Sequence, residues 1–277
     1  MTGPPILYHF FRSPLPYART LALQERIHEL QLSLRRNSPE KQRDILLLLE
    51  HRPVYTAGRR QTEENEFIVA ERDRLKKIGA DFELTKRGGE ITYHGPGQVV
   101  GYPLLDLGHA APSGSPSSTL SIRDYICLLQ RTLTSHLKTH NIPTSPSEHT
   151  GVFLDTSTKI ASIGVQVRHR LTTHGFAMNI TREPEKWFER VVACGLVGVK
   201  AGSIQGALED RKRARESMTV ADEIPALTRR FGEIFGREMV EVDLSKEGEI
   251  IGAIREMEEN CAKLGPWPTE PVESRDS

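Results

Sequence analysis

The densest set of chemically useful side chains lies in one short run, residues 87–98, which reads Arg-Gly-Gly-Glu-Ile-Thr-Tyr-His-Gly-Pro-Gly-Gln. Glycine allows a backbone to approach a ligand closely and to present bare N–H groups. Arg87 adds a planar guanidinium that is always positively charged, and His94 adds an acid, a base or a hydrogen-bond donor. The pattern is neither a P-loop nor a dinucleotide fingerprint. It predicts either a ligand-binding hairpin or a glycine-stabilised turn with a merely structural histidine, and composition alone favours neither.

A second set of residues could supply a covalent nucleophile. Cys194 stands between Ala193 and Gly195 in a segment typical of a loop, although a lone cysteine is more often a small buried apolar residue. Only a few per cent of an unperturbed thiol is ionised at neutral pH, so a nucleophilic cysteine needs a neighbour that lowers its pKa. An ammonium group does this, and Lys159 and Lys200 are the two candidates. Spacing alone leaves both lysines as ordinary surface charges.

His136 and His140 lie four residues apart in a segment that we predict to be helical. This spacing is typical of metal ligands, but the glutamate of a His-Glu-x-x-His motif is missing. The opposite face of the segment carries the apolar residues, so we expect the two histidines to lie on a solvated polar face. We therefore predict no metal site.

The elements that must position these residues follow from hydrophobic periodicity and from turn signals. Apolar residues at steps of three and four predict helices at 17–36, 69–78, 120–140 and 220–235. Apolar or alternating runs predict strands at 6–11, 44–51, 82–84, 90–94, 98–107, 152–154, 161–168 and 175–180. Strict βαβ alternation is absent, which favours an α+β fold with a mixed or antiparallel sheet. We expect one domain over residues 1–240 and a partly frayed extension over residues 241–277.

Charge and composition argue against several classes of protein. The 277 residues include 37 basic and 37 acidic side chains, and this balance is not typical of a dedicated nucleic-acid-binding protein. The longest apolar run is far shorter than the ~20 residues that span a bilayer, so no membrane segment is predicted. Three cysteines are too few for a disulfide framework, which favours a reducing compartment. The strand at 6–11 begins almost at once, so we expect neither a secretory signal nor an Arg-rich transit helix.

The run at 87–98 resembles the Arg-Gly-Gly-x-x-Thr-aromatic-His-x-x-Gly-Gln motif of the lipoyl(octanoyl) transferases of lipoate biosynthesis. Three further segments are similar to that family and occur in its order: Lys-x-x-[Ser/Ala]-x-Gly at 159–164, His-Gly-[Leu/Phe]-Ala-x-Asn at 174–179, and Cys-Gly at 194–195. Residues 53–59 look like the family's earlier Pro-x-Tyr-Thr-x-Gly segment. Two departures are Ala193, where proline often precedes the cysteine, and the run at 200–203, where Val-Thr-Ser is usual.

This resemblance implies an acyltransferase that needs no cofactor, on the α+β fold of the biotin and lipoate protein ligases, with a central mixed sheet flanked by helices. Cys194 would take an octanoyl group from octanoyl-acyl carrier protein as a thioester, and Lys159 would lower the pKa of the thiol. The acyl-enzyme would then pass the group to a lysine of a lipoyl domain. The substrate-binding residues that the resemblance implies are Arg87, Gly88, Gly89, Glu90, Ile91, Thr92, Tyr93, His94, Ser162, Ile163, Gly164, Gly175, Phe176 and Ala177.

The resemblance also implies the partners. The acceptors would be the lipoyl domains of 2-oxoacid dehydrogenase complexes and the H protein of the glycine cleavage system, and the enzyme would be a monomer that binds neither nucleic acid nor membrane. It would be mitochondrial in a eukaryote and cytoplasmic in a bacterium. Arg59, Arg60 and Arg87 are candidates for steering an acidic carrier protein to the site.

Three other functions remain open on the sequence. An ATP-dependent lipoate or biotin ligase would share the fold and would not need Cys194. A non-catalytic protein that binds acylated carrier domains would need neither Cys194 nor Lys159. A thiol hydrolase could pair Cys194 with His94 or His174, although nothing in the local sequence favours that pairing.

Overall fold

The computed structural model describes residues 4–62, 64–111, 119–192, 195–196, 198–211 and 217–272. Its strands are β1 (Ile6–Phe10), β2 (Asp44–Leu49), β3 (Val54–Ala57), β4 (Asp81–Leu84), β5 (Thr92–His94), β6 (Gln98–Leu104), β7 (Val152–Phe153), β8 (Thr158–Arg168), β9 (Leu171–Asn179), β10 (Lys200–Ala201) and β11 (Met239–Glu241). Its helices are α1 (Tyr17–Asn37), α2 (Glu66–Lys77), α3 (Ile122–Thr139), α4 (Glu183–Phe188), α5 (Ile204–Glu209), α6 (Val220–Phe235) and α7 (Glu249–Cys261). Within these ranges, no helix combines the length and the apolar character that crossing a membrane requires.

Strand β2 lies inside the molecule because it is apolar on both faces. Its residues are all buried, and successive side chains of a strand point in opposite directions. Leu46 and Leu48 therefore enter one apolar cluster, whereas Ile45 and Leu47 enter another. A strand with both faces covered requires a layer of helices on each side of its sheet.

That strand belongs to a large sheet with the spatial order β10-β8-β9-β6-β2-β1-β11, and β7 pairs with β8 off this path. Strand β1 runs parallel to β2 and β11, whereas β2, β6, β9 and β8 are successively antiparallel. Helices α3 and α6 supply the apolar cluster on one face, and α1 and α7 supply the cluster on the other. The predicted α+β fold, with a mixed central sheet flanked by helices, is confirmed.

A second, three-stranded sheet positions the glycine-rich run. Its order is β4-β3-β5, with β3 parallel to β4 and antiparallel to β5. Tyr93 of β5 stacks on Trp187 of α4 with the ring centroids 5.3 Å apart, and both side chains are buried. Burial of two large aromatic rings at one contact therefore fixes this sheet against α4.

Helix α6 has the predicted bounds because its local signals are strong. The Thr219 side chain accepts a hydrogen bond from the backbone of Asp222, and the Asp222 carboxylate accepts one from the backbone of Thr219, which makes a capping box. Gly236 ends the helix with a φ of 65°, a left-handed conformation that glycine adopts without a steric penalty. The capping box and the terminal glycine therefore mark the same helix bounds as the spacing of the apolar residues between them.

Six of these elements were not predicted: β3, α4, β10, α5, β11 and α7. Strand β3 follows immediately after Arg52-Pro53, a pair that indicates a turn rather than a strand. Helix α7 lies in the segment beyond residue 240, and its Ile254 and Ala253 are buried in the same apolar cluster as α1. The division into a domain over residues 1–240 and an extension over residues 241–277 stays a prediction.

The prediction that His136 and His140 lie on a solvated face is wrong. His136 is completely buried, and the side chain of His140 is only 6% exposed. Helix α6 packs across this side of α3 and places the carboxylate of Glu223 against both imidazoles. Helical periodicity shows which residues share a face, but it does not show that a second helix covers the polar one.

We expect Ile254→Ala to lower the free energy of unfolding by about 2–5 kcal/mol, because it leaves a cavity where α7 meets the apolar core. Ile251→Ala is the matched control, since this neighbouring isoleucine is only half-buried and should cost less. Urea unfolding followed by circular dichroism measures both values. Equal losses in the two variants would show that α7 does not contribute to the core as described.

Candidate active site

Two cavities border each other where β8 pairs with β9. The larger, which we call the lysine cavity, has a volume of about 390 Å³, and Lys159 and Asn179 are among its lining residues. The smaller, which we call the slot, has a volume of about 40 Å³ and lies beneath the hairpin at 87–98. Ser162 and Ala177 line both cavities, so the two cavities adjoin at these residues.

Most of the expected substrate-binding residues lie around the slot. Those that line it are Arg87, Gly88, Gly89, Thr92, His94, Ser162, Ile163, Gly164, Gly175, Phe176 and Ala177. Glu90 and Ile91 instead line a neighbouring cavity of about 450 Å³. Tyr93 lies in the apolar core of the small sheet. The structure thus brings most of this set together, while a binding role for each residue stays a prediction.

Close contact between backbones makes the slot narrow. Gly88 donates its N–H to the carbonyl oxygen of Val165 at 3.2 Å, which lays the hairpin on β8. A Cβ atom on Gly164 would lie 3.0 Å from the carbonyl oxygen of Gly88, and one on Gly175 would overlap the carbonyl oxygen of Gly101. Glycine is therefore required at Gly175, whereas a side chain at Gly164 would press on a backbone carbonyl that would have to shift by a few tenths of an ångström.

Arg87 holds the hairpin to the small sheet. Its guanidinium donates to the carbonyl oxygen of Thr56 at 2.6 Å, to the hydroxyl of Thr56 at 2.7 Å and to the carbonyl oxygen of Gly88 at 3.0 Å. The residue is only 6% exposed. The expectation that Arg87 steers a carrier protein is therefore wrong, because its charge points inward, whereas Arg59 and Arg60 are exposed.

A chain of buried hydrogen bonds connects the slot to the lysine cavity. His94 Nδ1 lies 2.7 Å from the side-chain oxygen of Gln98 and donates to it. The Gln98 amide donates to Asn179 at 2.8 Å, and the Asn179 amide donates to the carbonyl oxygen of Gly202 at 2.9 Å. The N–H of Gly202 in turn donates to the carbonyl oxygen of Lys159 at 2.9 Å. This chain fixes the position of the hairpin histidine relative to the strand that carries the lysine.

Three imidazoles near the slot are held neutral. Burial lowers the pKa of His51 to about 4 and that of His174 to about 3. Burial also lowers the pKa of His94 well below its usual range. The positive charge of Arg87 adds to the effect at His94 and His174, because it opposes a second positive charge nearby. Neutral rings around the slot suit an uncharged, apolar ligand.

Three slot residues, Tyr17, Val100 and Tyr102, were not among the candidates from the sequence. The Nδ1 of His51 lies 3.0 Å from the carbonyl oxygen of Leu15, which can only accept a hydrogen bond, so this nitrogen carries the hydrogen. The Nε2 of His51 then accepts from the hydroxyl of Tyr102 at 2.6 Å. No local motif marks these residues, because they come from α1, β6 and the segment after β2 and meet only in the folded chain.

His174 is held in a strained backbone conformation at the wall of the slot. Its φ is 59°, which is uncommon for a residue with a side chain and costs roughly 1–3 kcal/mol. Gln24 compensates by accepting the His174 N–H at 2.7 Å, and the Tyr17 hydroxyl lies 3.3 Å from the ring nitrogen Nδ1. Strain that several neighbours maintain is typical of functional sites, and a role for this wall of the slot stays a prediction.

Lys159 is more enclosed than its rival Lys200, although both line the lysine cavity. Lys159 is half-buried on β8, and its Nζ lies 5.5 Å from the centre of the Phe153 ring. Lys200 is exposed at the start of β10, where it pairs with Thr158, while the next residue of β10 pairs with Lys159. The segment that follows Cys194 therefore returns to run beside the strand that carries Lys159.

Cys194 itself lies outside the described residues, but residues close to it on both sides in the sequence are described. Val191 and Val199 precede and follow it in the sequence, and both line the lysine cavity. Gly195 has a φ of 67°, and a Cβ atom there would overlap the carboxylate of Glu90. The described neighbours of Cys194 thus border both the lysine cavity and the glycine-rich hairpin.

Comparison with known proteins agrees with this geometry. Residues 16–232 match the family described as the lipoyl protein ligase A/B catalytic domain. The chain is 37% identical over 221 residues to a Danio rerio protein named mitochondrial octanoyl-[acyl-carrier-protein]:protein N-octanoyltransferase, covering 80% of this chain and 88% of that protein. It is 36% identical over 200 residues to the octanoyltransferase of Koribacter versatilis, covering 71% of this chain and 74% of that protein.

A solved structure shares the fold at low sequence identity. The bipartite lipoate protein ligase of Thermoplasma acidophilum superposes with a TM-score of 0.57 and 16% identity, over the full length of both chains. Fold and family match together define the class as the lipoyl protein ligase A/B catalytic domains. Within that class the chain belongs to the octanoyltransferases, because relatives with that name share more than a third of its residues over most of their length.

Acidification should weaken the fold through His51, because the unfolded imidazole, with a pKa near 6.5, takes up a proton at higher pH than the folded one, with a pKa of about 4. The stability that its neutral form contributes is present above pH 6.5 and falls as the pH drops towards 4. Between pH 7 and pH 5 this group alone should cost about 2 kcal/mol. We expect His51→Gln to show a correspondingly smaller loss in urea unfolding at the two pH values, and an unchanged loss would contradict the assignment.

Proposed function

We propose that this protein transfers an octanoyl group from octanoyl-acyl carrier protein to a lysine of a lipoyl domain, with Cys194 as the intermediate carrier of the acyl group. The observation that carries the proposal is the meeting of three parts at one pair of adjoining cavities. These parts are the strand with Lys159, the glycine-walled slot, and the described residues on both sides of Cys194. The named activity of the relatives supports the same reaction.

The first half-reaction moves the acyl group to the enzyme. The Cys194 thiolate attacks the carbonyl carbon of the carrier thioester, the carbon–sulfur bond to the carrier breaks, and the carrier thiol leaves with a proton that the Lys159 ammonium supplies. Lys159 favours the thiolate because a nearby ammonium lowers the pKa of a thiol. The N–H of Gly88 is already bonded to Val165, so donors for the oxyanion come from Gly89 or from the loop of Cys194.

The second half-reaction moves the acyl group to the acceptor. The neutral ε-amine of the acceptor lysine attacks the Cys194 thioester, an amide bond forms, and the thiolate leaves. Lys159, neutral after it has given its proton to the carrier thiol, takes up the proton that the amine releases. Exchange of one thioester for another, followed by conversion to an amide, runs downhill at the last step, so ATP is not consumed. Two successive transfers through one nucleophile are the pattern expected of covalent catalysis.

We assign the octanoyl chain to the slot together with the adjoining part of the lysine cavity. Gly164 and Gly175 let neighbouring backbones close the walls of the slot, while Ile163 and Phe176 provide apolar surface. Each CH₂ group removed from water contributes about 0.8 kcal/mol, so a slot of limited length can select a chain of limited length. The neutral imidazoles nearby leave the chain without an adjacent titrating charge.

The partners follow from the reaction. An acyl-carrier donor and a lipoyl-domain acceptor are common to the octanoyltransferases, and we assign to this protein the lipoyl domains of 2-oxoacid dehydrogenase complexes and the glycine cleavage H protein. Its eukaryotic relative in Danio rerio is named mitochondrial, which supports the same compartment here. Arg59 and Arg60, exposed just after β3, are placed to meet an acidic carrier protein.

Incubation with octanoyl-acyl carrier protein and no ATP should add one octanoyl group to the wild-type protein. The adduct should be released by hydroxylamine and should be absent from Cys194→Ser, because serine lacks the ionisable thiol. Intact-mass spectrometry measures both results. An unmodified wild-type protein that acts only on free octanoate with ATP would instead establish a ligase.

The two lysines of the cavity provide a matched pair. We expect Lys159→Met to slow formation of the acyl-enzyme at pH 7 by about 10²–10⁴-fold, and Lys200→Met to leave it near the wild-type rate. The defect of Lys159→Met should diminish at pH 9, where an unassisted thiol ionises by itself. Rapid-quench mass spectrometry gives the rates, and a larger defect in Lys200→Met would assign the role to Lys200.

A further inference from the structure

A buried cluster of two imidazoles and one carboxylate lies between α3 and α6, apart from both cavities of the proposed active site. His136 and His140 follow each other by one turn of α3, and Glu223 faces them from the first part of α6. One oxygen of Glu223 lies 2.9 Å from Nε2 of His136 and 2.8 Å from Nε2 of His140. The three ligand atoms all lie within 4.8 Å of one another.

Hydrogen bonding within the described residues accounts for only part of this cluster, since Nε2 of His140 donates to the Glu223 carboxylate at 2.8 Å. Both ring nitrogens of His136 are buried without a hydrogen bond, although its Nε2 lies 2.9 Å from that carboxylate. Nδ1 of His140 is also buried without a partner. Native proteins pair nearly all buried polar atoms, and of these nitrogens Nε2 of His136 is the one that faces the carboxylate, where a bound cation would satisfy it.

We propose that these three residues bind one divalent transition-metal ion, with Zn²⁺ as the preferred metal. Two histidines and one glutamate are an established zinc donor set, in which a water molecule completes the four-coordinate shell. Bonds of about 2.0–2.1 Å in a tetrahedral arrangement place neighbouring ligand atoms about 3.3 Å apart. The observed 2.8 and 2.9 Å therefore need to open by only roughly half an ångström.

Charge favours the same ion. A carboxylate that is 96% buried is costly unless a positive charge faces it, and a divalent cation would satisfy the carboxylate and both imidazole lone pairs together. Calcium and magnesium are disfavoured because they prefer oxygen ligands. The ion would join α3 to α6 and would stabilise the helical layer rather than take part in the acyl transfer.

The probe is Co²⁺, which reports its coordination by visible absorption, followed by displacement with Zn²⁺. The full-length protein carries Cys194→Ser throughout, so that the proposed nucleophile cannot bind the metal. We expect one equivalent of Co²⁺ to bind with the spectrum of a four-coordinate site, and Zn²⁺ to raise the melting temperature. Glu223→Gln, which keeps the size of the side chain, should weaken binding at least about tenfold and abolish the rise.

Two further variants make the outcome decisive. His140→Ala lies at the edge of the cluster and should lose the site, whereas His149→Ala removes an exposed histidine elsewhere and should keep it. Melting temperatures in the presence of a chelator establish that each variant is folded. Equal binding by Glu223→Gln and its parent, or binding lost only in His149→Ala, would show surface binding and overturn the proposal. Acyl transfer is tested separately, so neither result depends on the other.

Discussion

The site depends on the close approach of two backbones, that of the glycine-rich hairpin and that of β8. Gly88 donates to Val165, and Gly164 lies so close to the hairpin that a side chain there would press on the carbonyl of Gly88. This contact forms the slot and places the small sheet beside the large one. A larger residue at Gly164 would press on the Gly88 carbonyl, so glycine at this contact serves the packing of the hairpin against β8.

Buried hydrogen bonds turn that contact into a fixed geometry. The chain from His94 through Gln98 and Asn179 reaches the backbone beside Lys159, and each amide is oriented by the partner that precedes it. Such a network is costly to leave incomplete, which resists displacement of either cavity relative to the other. Arg87 also fixes the hairpin, because its guanidinium donates hydrogen bonds to backbone carbonyls of the hairpin and of β3.

Much of the secondary structure could be predicted because local signals agreed with one another. Helix α6 combines a capping box, an apolar period and a terminal glycine, and its bounds were predicted correctly. Helix α7 was missed since its short apolar stripe lies in a segment rich in acidic residues and becomes a core element only against α1. Strand β3 was missed because it is only four residues long and is stabilised by its neighbours β4 and β5.

Motifs and periodicities are properties of neighbours along the chain, so they were enough to predict the family, the α+β class and the residues that could do the chemistry. The environment of each residue became known from the folded chain. Folding turned Arg87 inward, brought Tyr17 and Tyr102 to the slot, and covered His136 with a second helix. The burial, the pKa and the contacts of a residue depend on chain segments far apart in the sequence. The spacing of residues does not show which distant segment packs against a given residue.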